Sequence, residues 1–351
     1  MDDFLLEADI AEIARRLGDH ASALAGKKVM LTGGRGFLGR YFTAVFSYLN
    51  ERVLAAPVEV VVLDNLISAG KKGAEVPDIP HMRFIEHDVT KPLEYGDALD
   101  YVVHAAGIAS PFYYRAYPLE TLEVAITGTR HMLELARANQ ARFAFFSSSE
   151  IYGDPDRRYV PTQESYRGNV ACQGPRACYD ESKRVGETLC YIFHNTFGVH
   201  TNIIRPFNVY GPGMQETDYR VLPNFASRIQ KGEPLNVYGT GQQTRTFCYI
   251  TDALVGFLLV VLRGVSGETY NIGTERPEIA MSELVQRIEK VLGRDIDYNL
   301  IDHPDSYPAD EPNRRCPDIR KARLHLEYEP EVELDDGLHR FLSWTESAYQ
   351  T

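Results

Sequence analysis

Val29-Met30-Leu31-Thr32-Gly33-Gly34-Arg35-Gly36-Phe37-Leu38-Gly39 passes from an apolar run into glycines at 33, 36 and 39 and then into a helical pattern, Tyr41 to Leu49. This reads as a short strand, a tight turn and a helix. Glycines at these positions let the turn close, let the backbone approach a pyrophosphate, and let the helix pack close to the sheet. The pyrophosphate would then meet the free N–H groups of the helix N-terminus. A second apolar run, Val58-Glu59-Val60-Val61-Val62-Leu63, ends in Asp64, which lies 64 − 39 = 25 residues past the last glycine. A carboxylate there can accept hydrogen bonds from the adenosine ribose and repel a 2′-phosphate, which favours NAD over NADP. The competing reading is a glycine turn with a strand-end aspartate and no ligand.

Working outward, strands and helices alternate. Strand candidates are Arg83 to Ile85, Tyr101 to His104, Ala144 to Ser147 and Thr201 to Ile204; helix candidates are Pro118 to Ala138, Glu181 to Phe197, Thr251 to Leu262 and Met281 to Leu292. Such alternation predicts an α/β fold, a doubly wound parallel sheet of the Rossmann kind with helices on both faces. After Gly211 the elements shorten, which predicts a smaller C-terminal α/β substrate-binding lobe. The expected organisation is an N-terminal helical extension (1–26), a dinucleotide-binding domain (27–207, with 250–274 returning to it) and a substrate lobe (208–249 and 275–345). In the extension, Phe4, Leu5, Ala8, Ile10, Ile13, Ala14 and Leu17 recur at helical spacing. They predict an amphipathic helix docked either on its own domain or on a neighbouring subunit.

A net charge of −12 argues against nucleic acid or an anionic membrane as partner, so an anionic substrate needs locally placed basic residues. The five cysteines (172, 178, 190, 248 and 316) show no CxxC pair or metal spacing, as expected of reduced thiols in a cytoplasmic protein. No apolar run is long enough to span a bilayer, and the acidic start Met1-Asp2-Asp3 is unlike a signal or transit peptide.

The chemistry concentrates in Tyr179-Asp180-Glu181-Ser182-Lys183 and Ser147-Ser148-Ser149-Glu150. Tyrosine and lysine four residues apart share a helix face. An ammonium there favours the phenolate, which can take a proton from a sugar hydroxyl. The carboxylate of Glu150 points to more than simple alcohol oxidation.

Thr32 to Gly39, Asp64-Asn65, His87-Asp88-Val89-Thr90, the Tyr179/Lys183 pair and Arg205-Pro206-Phe207-Asn208-Val209-Tyr210-Gly211-Pro212 resemble the extended short-chain dehydrogenase/reductases that act on nucleotide sugars. Within them, Gly174-Pro175-Arg176-Ala177-Cys178-Tyr179-Asp180-Glu181-Ser182-Lys183-Arg184, Tyr152-Gly153-Asp154-Pro155, Glu164 to Val170 and Gln243-Thr244-Arg245-Thr246-Phe247 look like the UDP-glucuronate decarboxylases. The likeness runs roughly over residues 27 to 340. Departures are Ser148 for the family's threonine, Gly213 where an arginine is common, and Gly107-Ile108 for a Ser-Pro.

The resemblance implies an NAD-dependent decarboxylation of UDP-glucuronate to UDP-xylose through a 4-keto sugar, in a homodimer or higher homo-oligomer whose helices Leu119 to Ala138 and Tyr179 to Phe197 pair across a two-fold axis. It implies cofactor contacts from Gly33, Gly36, Phe37, Leu38, Gly39, Asp64, Asn65, Asp88, Val89, Ala105, Ala106, Tyr179 and Lys183, and UDP-sugar contacts from Tyr114, Asn208, Arg220, Asn224, Arg245 and Arg315. Tyr179 would be the base, Lys183 would hold its charge and bond the nicotinamide ribose, and Ser148 would bond the C4 oxygen. Glu150 would orient the carboxylate or a water, and Arg245 would bind the carboxylate and guide reprotonation at C5. Other readings of the same residues are a strand-end carboxylate for Glu150 and a diphosphate ligand for Arg245. Those of the whole chain are a 4-epimerase, 4,6-dehydratase or 4-ketoreductase, or a dinucleotide-binding sensor without catalysis.

Overall fold

The computed structural model describes residues 5–302 and 312–349. Seven parallel strands form the central sheet: β1 (Lys28–Thr32), β2 (Glu59–Asp64), β3 (Met82–Glu86), β4 (Tyr101–His104), β5 (Arg142–Phe146), β6 (Thr201–Pro206) and β7 (Thr269–Ile272). Their order is β7-β6-β5-β4-β1-β2-β3. Val29 to Thr32 and all of β4 are buried, because helices cover both faces and leave no side for polar alternation. Strand order reverses between β1 and β4, so a crevice opens there at the carboxyl ends. The doubly wound expectation is met, and β7 adds a strand that local pattern did not single out.

The helix Ile250–Arg263 is buried along nearly its whole length, which an all-round apolar sequence allows. On it rests the N-terminal helix Glu7–Leu17, with Ile10, Ile13, Ala14 and Leu17 buried. Polar contacts fix the docking: Arg16 pairs with Asp252 at 2.7 Å, the Tyr249 hydroxyl donates to Asp9 at 2.7 Å, and Arg340 reaches Glu12 at 2.7 Å. This face therefore docks on the body of its own chain.

The predicted helix Pro118 to Ala138 is broken into Pro118–Glu123, a π-helical turn Val124–Gly128, and Thr129–Asn139. At Gly128 an added Cβ would stand 2.8 Å from Val89, so the turn brings the backbone close to the segment that follows β3. Past β6 come small sheets. Val209–Tyr210 pairs with Cys248–Tyr249, and Leu235–Tyr238 pairs with Tyr298–Ile301, both parallel. Thr244–Arg245 lies between Ile279–Ala280 and Arg314–Arg315, in a register that sets Arg315 opposite Arg245.

Candidate active site

The glycine loop follows β1 and faces the loop after β4. Gly33 has φ +71°, and an added Cβ would lie 2.7 Å from the Ala106 nitrogen. Only a residue without a side chain fits that approach. Gly39 is pressed against the backbone of Gly33 and Gly34, which sets the helix Phe37–Arg52 close under the turn. Gly36 meets no comparable obstruction and faces the crevice. The crevice is lined by Gly33, Gly36, Phe37, Leu38 and Gly39, by Asp64 and Asn65 after β2, by Asp88 and Val89, and by Ala105 and Ala106. Every expected cofactor residue except Tyr179 and Lys183 therefore faces one cleft. These two stand at its inner end, where the Lys183 ammonium lies against Gly107 of the Ala105–Ala106 loop.

The Asp64 carboxylate accepts the backbone N–H groups of Arg35 and Leu66, both at 2.8 Å. Burial raises its pKa against the pull of those two bonds. Arg35 turns away from the crevice, where its guanidinium donates to the carbonyls of Gly73 at 2.8 Å and Glu75 at 2.6 Å. Beneath the loops, His104 is enclosed between Thr32 at 2.7 Å and Thr129 at 3.1 Å. Burial, with the charge of Lys183, lowers its pKa to about 3, so it is a neutral scaffold residue.

Tyr179 and Lys183 sit on the helix Ala177–Phe197, which starts four residues earlier than predicted. The Lys183 ammonium donates to the Phe146 carbonyl at 2.9 Å and lies 5.7 Å from the Tyr179 ring centre. Burial lowers its pKa to about 8. An added Cβ on Gly107 would come within 2.8 Å of that nitrogen, so at the Gly107-Ile108 departure the loop backbone packs directly against Lys183. The Tyr179 ring stacks on Tyr114 with centres 5.3 Å apart. Burial pushes its hydroxyl up to about 12, a hydrogen bond with Ser148 pulls it down, and Glu150 and Asp180 raise it further. With burial outweighing the Ser148 bond, the phenol is protonated at neutral pH. The Ser148 Oγ also accepts the Glu150 N–H at 3.2 Å.

Glu150 is gripped rather than solvated. Arg315 donates to both of its oxygens, Nη2 to Oε2 at 2.6 Å, and Arg176 donates to Oε2 as well. Despite burial, the guanidiniums of Arg176 and Arg315, with Arg245 behind them, hold its carboxyl well below the usual range. Asp180 lies 3.6 Å from the Arg176 Nε, and burial together with the charge of Glu150 raises its carboxyl. Arg176 and Asp180 belong to the 174–184 motif, and nothing in their spacing marks them as site residues, because Glu150 lies 26 residues upstream of Arg176. Arg205 is engaged by Glu187 and Tyr152, and Arg320 by Asp318, away from this cluster.

A second cavity adjoins Tyr179 and is lined by Tyr114, Asn208, Arg220, Asn224, Arg245 and Arg315, so the structure brings all six expected substrate residues together. Arg220 belongs to both cavities, with its guanidinium paired to Asp218 and 6.0 Å from the Phe37 ring. Gly213 explains another departure. Its φ is +92°, and a side chain there would meet Leu5 at 2.7 Å, so the N-terminal segment covers the place where an arginine would start.

A model of the NAD dependent epimerase/dehydratase family matches residues 29–273. The chain belongs to this family. UDP-glucuronic acid decarboxylase 1 of Xenopus tropicalis is 38% identical over 320 residues, covering 91% of this chain and 72% of that protein. UDP-glucuronic acid decarboxylase 6 of Arabidopsis thaliana is 38% identical over 314 residues, 89% of this chain and 86% of its own. Among solved structures, an epimerase of Methanothermobacter thermautotrophicus superposes with TM-score 0.79 at 28% identity, covering 95% of this chain and 96% of that one. A double mutant of the dTDP-glucose 4,6-dehydratase DesIV from Streptomyces venezuelae, solved with NAD bound, gives 0.78 at 26% identity, covering 92% of this chain and 98% of that one. The cofactor of the family is NAD, and the glycine loop, Asp64 and the open crevice fit it.

Proposed function

We propose that the protein decarboxylates UDP-glucuronate to UDP-xylose with bound NAD and no net redox change. The observation that carries this reading is the charge of the cavity beside Tyr179. Arg176, Arg220, Arg245 and Arg315 line it against one lining carboxylate, Glu150; with Asp218 on Arg220 and Asp180 beside Arg176 also counted, a formal 4 − 3 = +1 remains in a chain of net charge −12. A nucleoside diphosphate brings roughly two negative charges and a uronate carboxylate about one more, a match for guanidinium forks. Relatives at 38% identity carry the same activity in their names.

Gly33, Gly36, Phe37 and Leu38 would hold the pyrophosphate, Asp64 the adenosine ribose, and Lys183 the nicotinamide ribose. Bound NAD supplies a hydride acceptor for C4 that later returns the hydride. Tyr179 would take the C4 hydroxyl proton, aided by Ser148, and return it to the same oxygen at the end. With a ketone at C4, the C5–C6 bond breaks, its electron pair passes to the C4 oxygen as an enolate, and CO₂ leaves. Protonated Tyr179 would stabilise that oxygen. The proton at Tyr179 is owed to O4, so C5 takes another, ultimately from solvent. Glu150, kept ionised by Arg176 and Arg315, would hold the water on that path, while Arg245 guides the carboxylate. Asn208, Arg220 and Asn224 would take the UDP half, with Tyr114 against the sugar.

We assign the seven-stranded sheet to cofactor binding and the small sheets after residue 207 to the nucleotide sugar. A homodimer is supported by exposed apolar residues on the two expected helical segments, Leu119, Ile126, Tyr191 and Ile192. Among the described residues no helix is long and apolar enough to cross a membrane, and five unpaired thiols favour a reducing, cytoplasmic compartment. The test is product mass from purified protein, UDP-glucuronate and NAD⁺. Loss of CO₂ without NADH accumulation supports the proposal, whereas an unchanged mass with an inverted C4 makes the protein an epimerase.

A further inference from the structure

Arg176 precedes the helix that carries Tyr179, and its carbonyl accepts the N–H groups of Tyr179 at 2.9 Å and Asp180 at 3.1 Å. Its backbone is therefore fixed relative to the phenol, while the torsions of its side chain are free to re-aim the guanidinium. It lines the same cavity, with a side chain 8% exposed. When a sugar C4 oxygen faces Tyr179, the substituent on C5 is one carbon away, inside the cavity whose lining includes Arg176, Glu150 and Tyr114.

Two guanidiniums converge on a single Glu150 oxygen. Arg315 already satisfies both Oε1 and Oε2, and Arg176 adds a further donor to Oε2. Moving Arg176 to another carboxylate leaves Glu150 with its bidentate partner intact, so the exchange avoids stranding a buried charge. Behind Arg176 stands Asp180, 3.6 Å from its Nε.

We propose that Arg176 is a specificity-determining residue for the anionic C5 substituent, taking the substrate carboxylate on binding and returning to Glu150 and Asp180 as the negative charge passes to the C4 oxygen and neutral CO₂ leaves. A cation that kept full hold of the carboxylate would stabilise the ground state and oppose its loss. Glu150 and Asp180 give the guanidinium a place to go as the C5–C6 electron pair moves to the C4 oxygen. This inference rests on the decarboxylase reading.

The test compares affinity for UDP-glucuronate and for UDP-xylose, which shares the diphosphate but lacks the carboxylate. It uses NAD-loaded protein in a Tyr179→Phe background, which slows turnover by about 10²-fold or more. Arg176→Gln weakens UDP-glucuronate by roughly tenfold or more and leaves UDP-xylose within about twofold. Arg176→Lys restores part of the preference, since it keeps the charge and loses the fork; it also serves if the glutamine variant does not fold. Parallel weakening of both ligands, or no change in either, overturns the proposal. Failure of protein with Tyr179 intact to release CO₂ would instead remove the decarboxylase reading, whatever the affinity ratio does.

Discussion

Replacing Glu150 by glutamine keeps the shape of the side chain and removes the charge that two buried arginines share. Arg176 and Arg315 are 8% and 7% exposed, so neither can turn to solvent without rearrangement. Arg176 retains Asp180 at 3.6 Å; Arg315 loses the carboxylate on which both its Nη groups close. Breaking a buried pair from one side costs about 3–5 kcal/mol. The amide oxygen still accepts one bond, so we expect a loss of about 2–4 kcal/mol, a few degrees of melting temperature per kcal/mol for a chain of this size. The pH dependence carries a sign. The arginines hold the folded Glu150 carboxyl below its ordinary 4.5, so its contribution is complete above that value and is lost as pH falls toward the folded value. Glu150→Gln should remove this acid-side loss. Chemically, Glu150 has no part in taking hydride from C4. In a single turnover, NADH formation should persist within about tenfold while CO₂ release falls by on the order of 10²-fold or more. The assay is NADH absorbance beside mass spectrometry of the sugar, with a 4-keto hexuronate accumulating. Equal reductions in both signals, or wild-type CO₂ release, would refute the role given to Glu150.

Tyr179→Phe keeps the stack on Tyr114, so the variant should fold, and pre-steady-state NADH formation should drop by about 10²-fold or more; an unchanged burst would remove Tyr179 as the base. Asp64→Ala should weaken NAD and relax discrimination against NADP, measured by titration of both cofactors; wild-type protein that binds the two equally would sink that assignment. Lys183 has a folded pKa of about 8 against an ordinary 10.5, so the unfolded chain binds the extra proton between these values and stability should rise there by up to about 1.4 kcal/mol per pH unit. Denaturation midpoints of wild type and Lys183→Met across this window check it: the rise should vanish in the variant, and a rise that survives contradicts the burial of the ammonium.

The sheet was legible because its signals are local and repeated. The glycine loop fixes one βα unit, and short apolar runs such as Tyr101–His104, too short for helices, read as strands covered on both faces. The cofactor crevice followed from the same residues. Harder to read was the cluster on Glu150. Arg315 reaches it through a two-residue parallel pairing with Thr244–Arg245, too short to leave any periodicity in the sequence. Arg176 and Asp180 stood in plain view, but their partner is 26 residues upstream of Arg176 and only the folded loop brings it near. The N-terminal helix was legible as amphipathic, while its destination depended on Asp252, Tyr249 and Arg340, all more than two hundred residues away. The π-helical turn at Val124–Gly128 has no composition of its own, arising where Gly128 meets Val89.

The central claim, decarboxylation through a transient C4 ketone with the hydride returned to the carbon it left, is tested most directly by turnover of UDP-glucuronate in heavy water. The account predicts CO₂ release and a UDP-pentose with one deuterium at C5, from solvent, and protium at C4, from the returned hydride. Deuterium at C4, or recovery of a sugar that has kept its carboxylate, would contradict it.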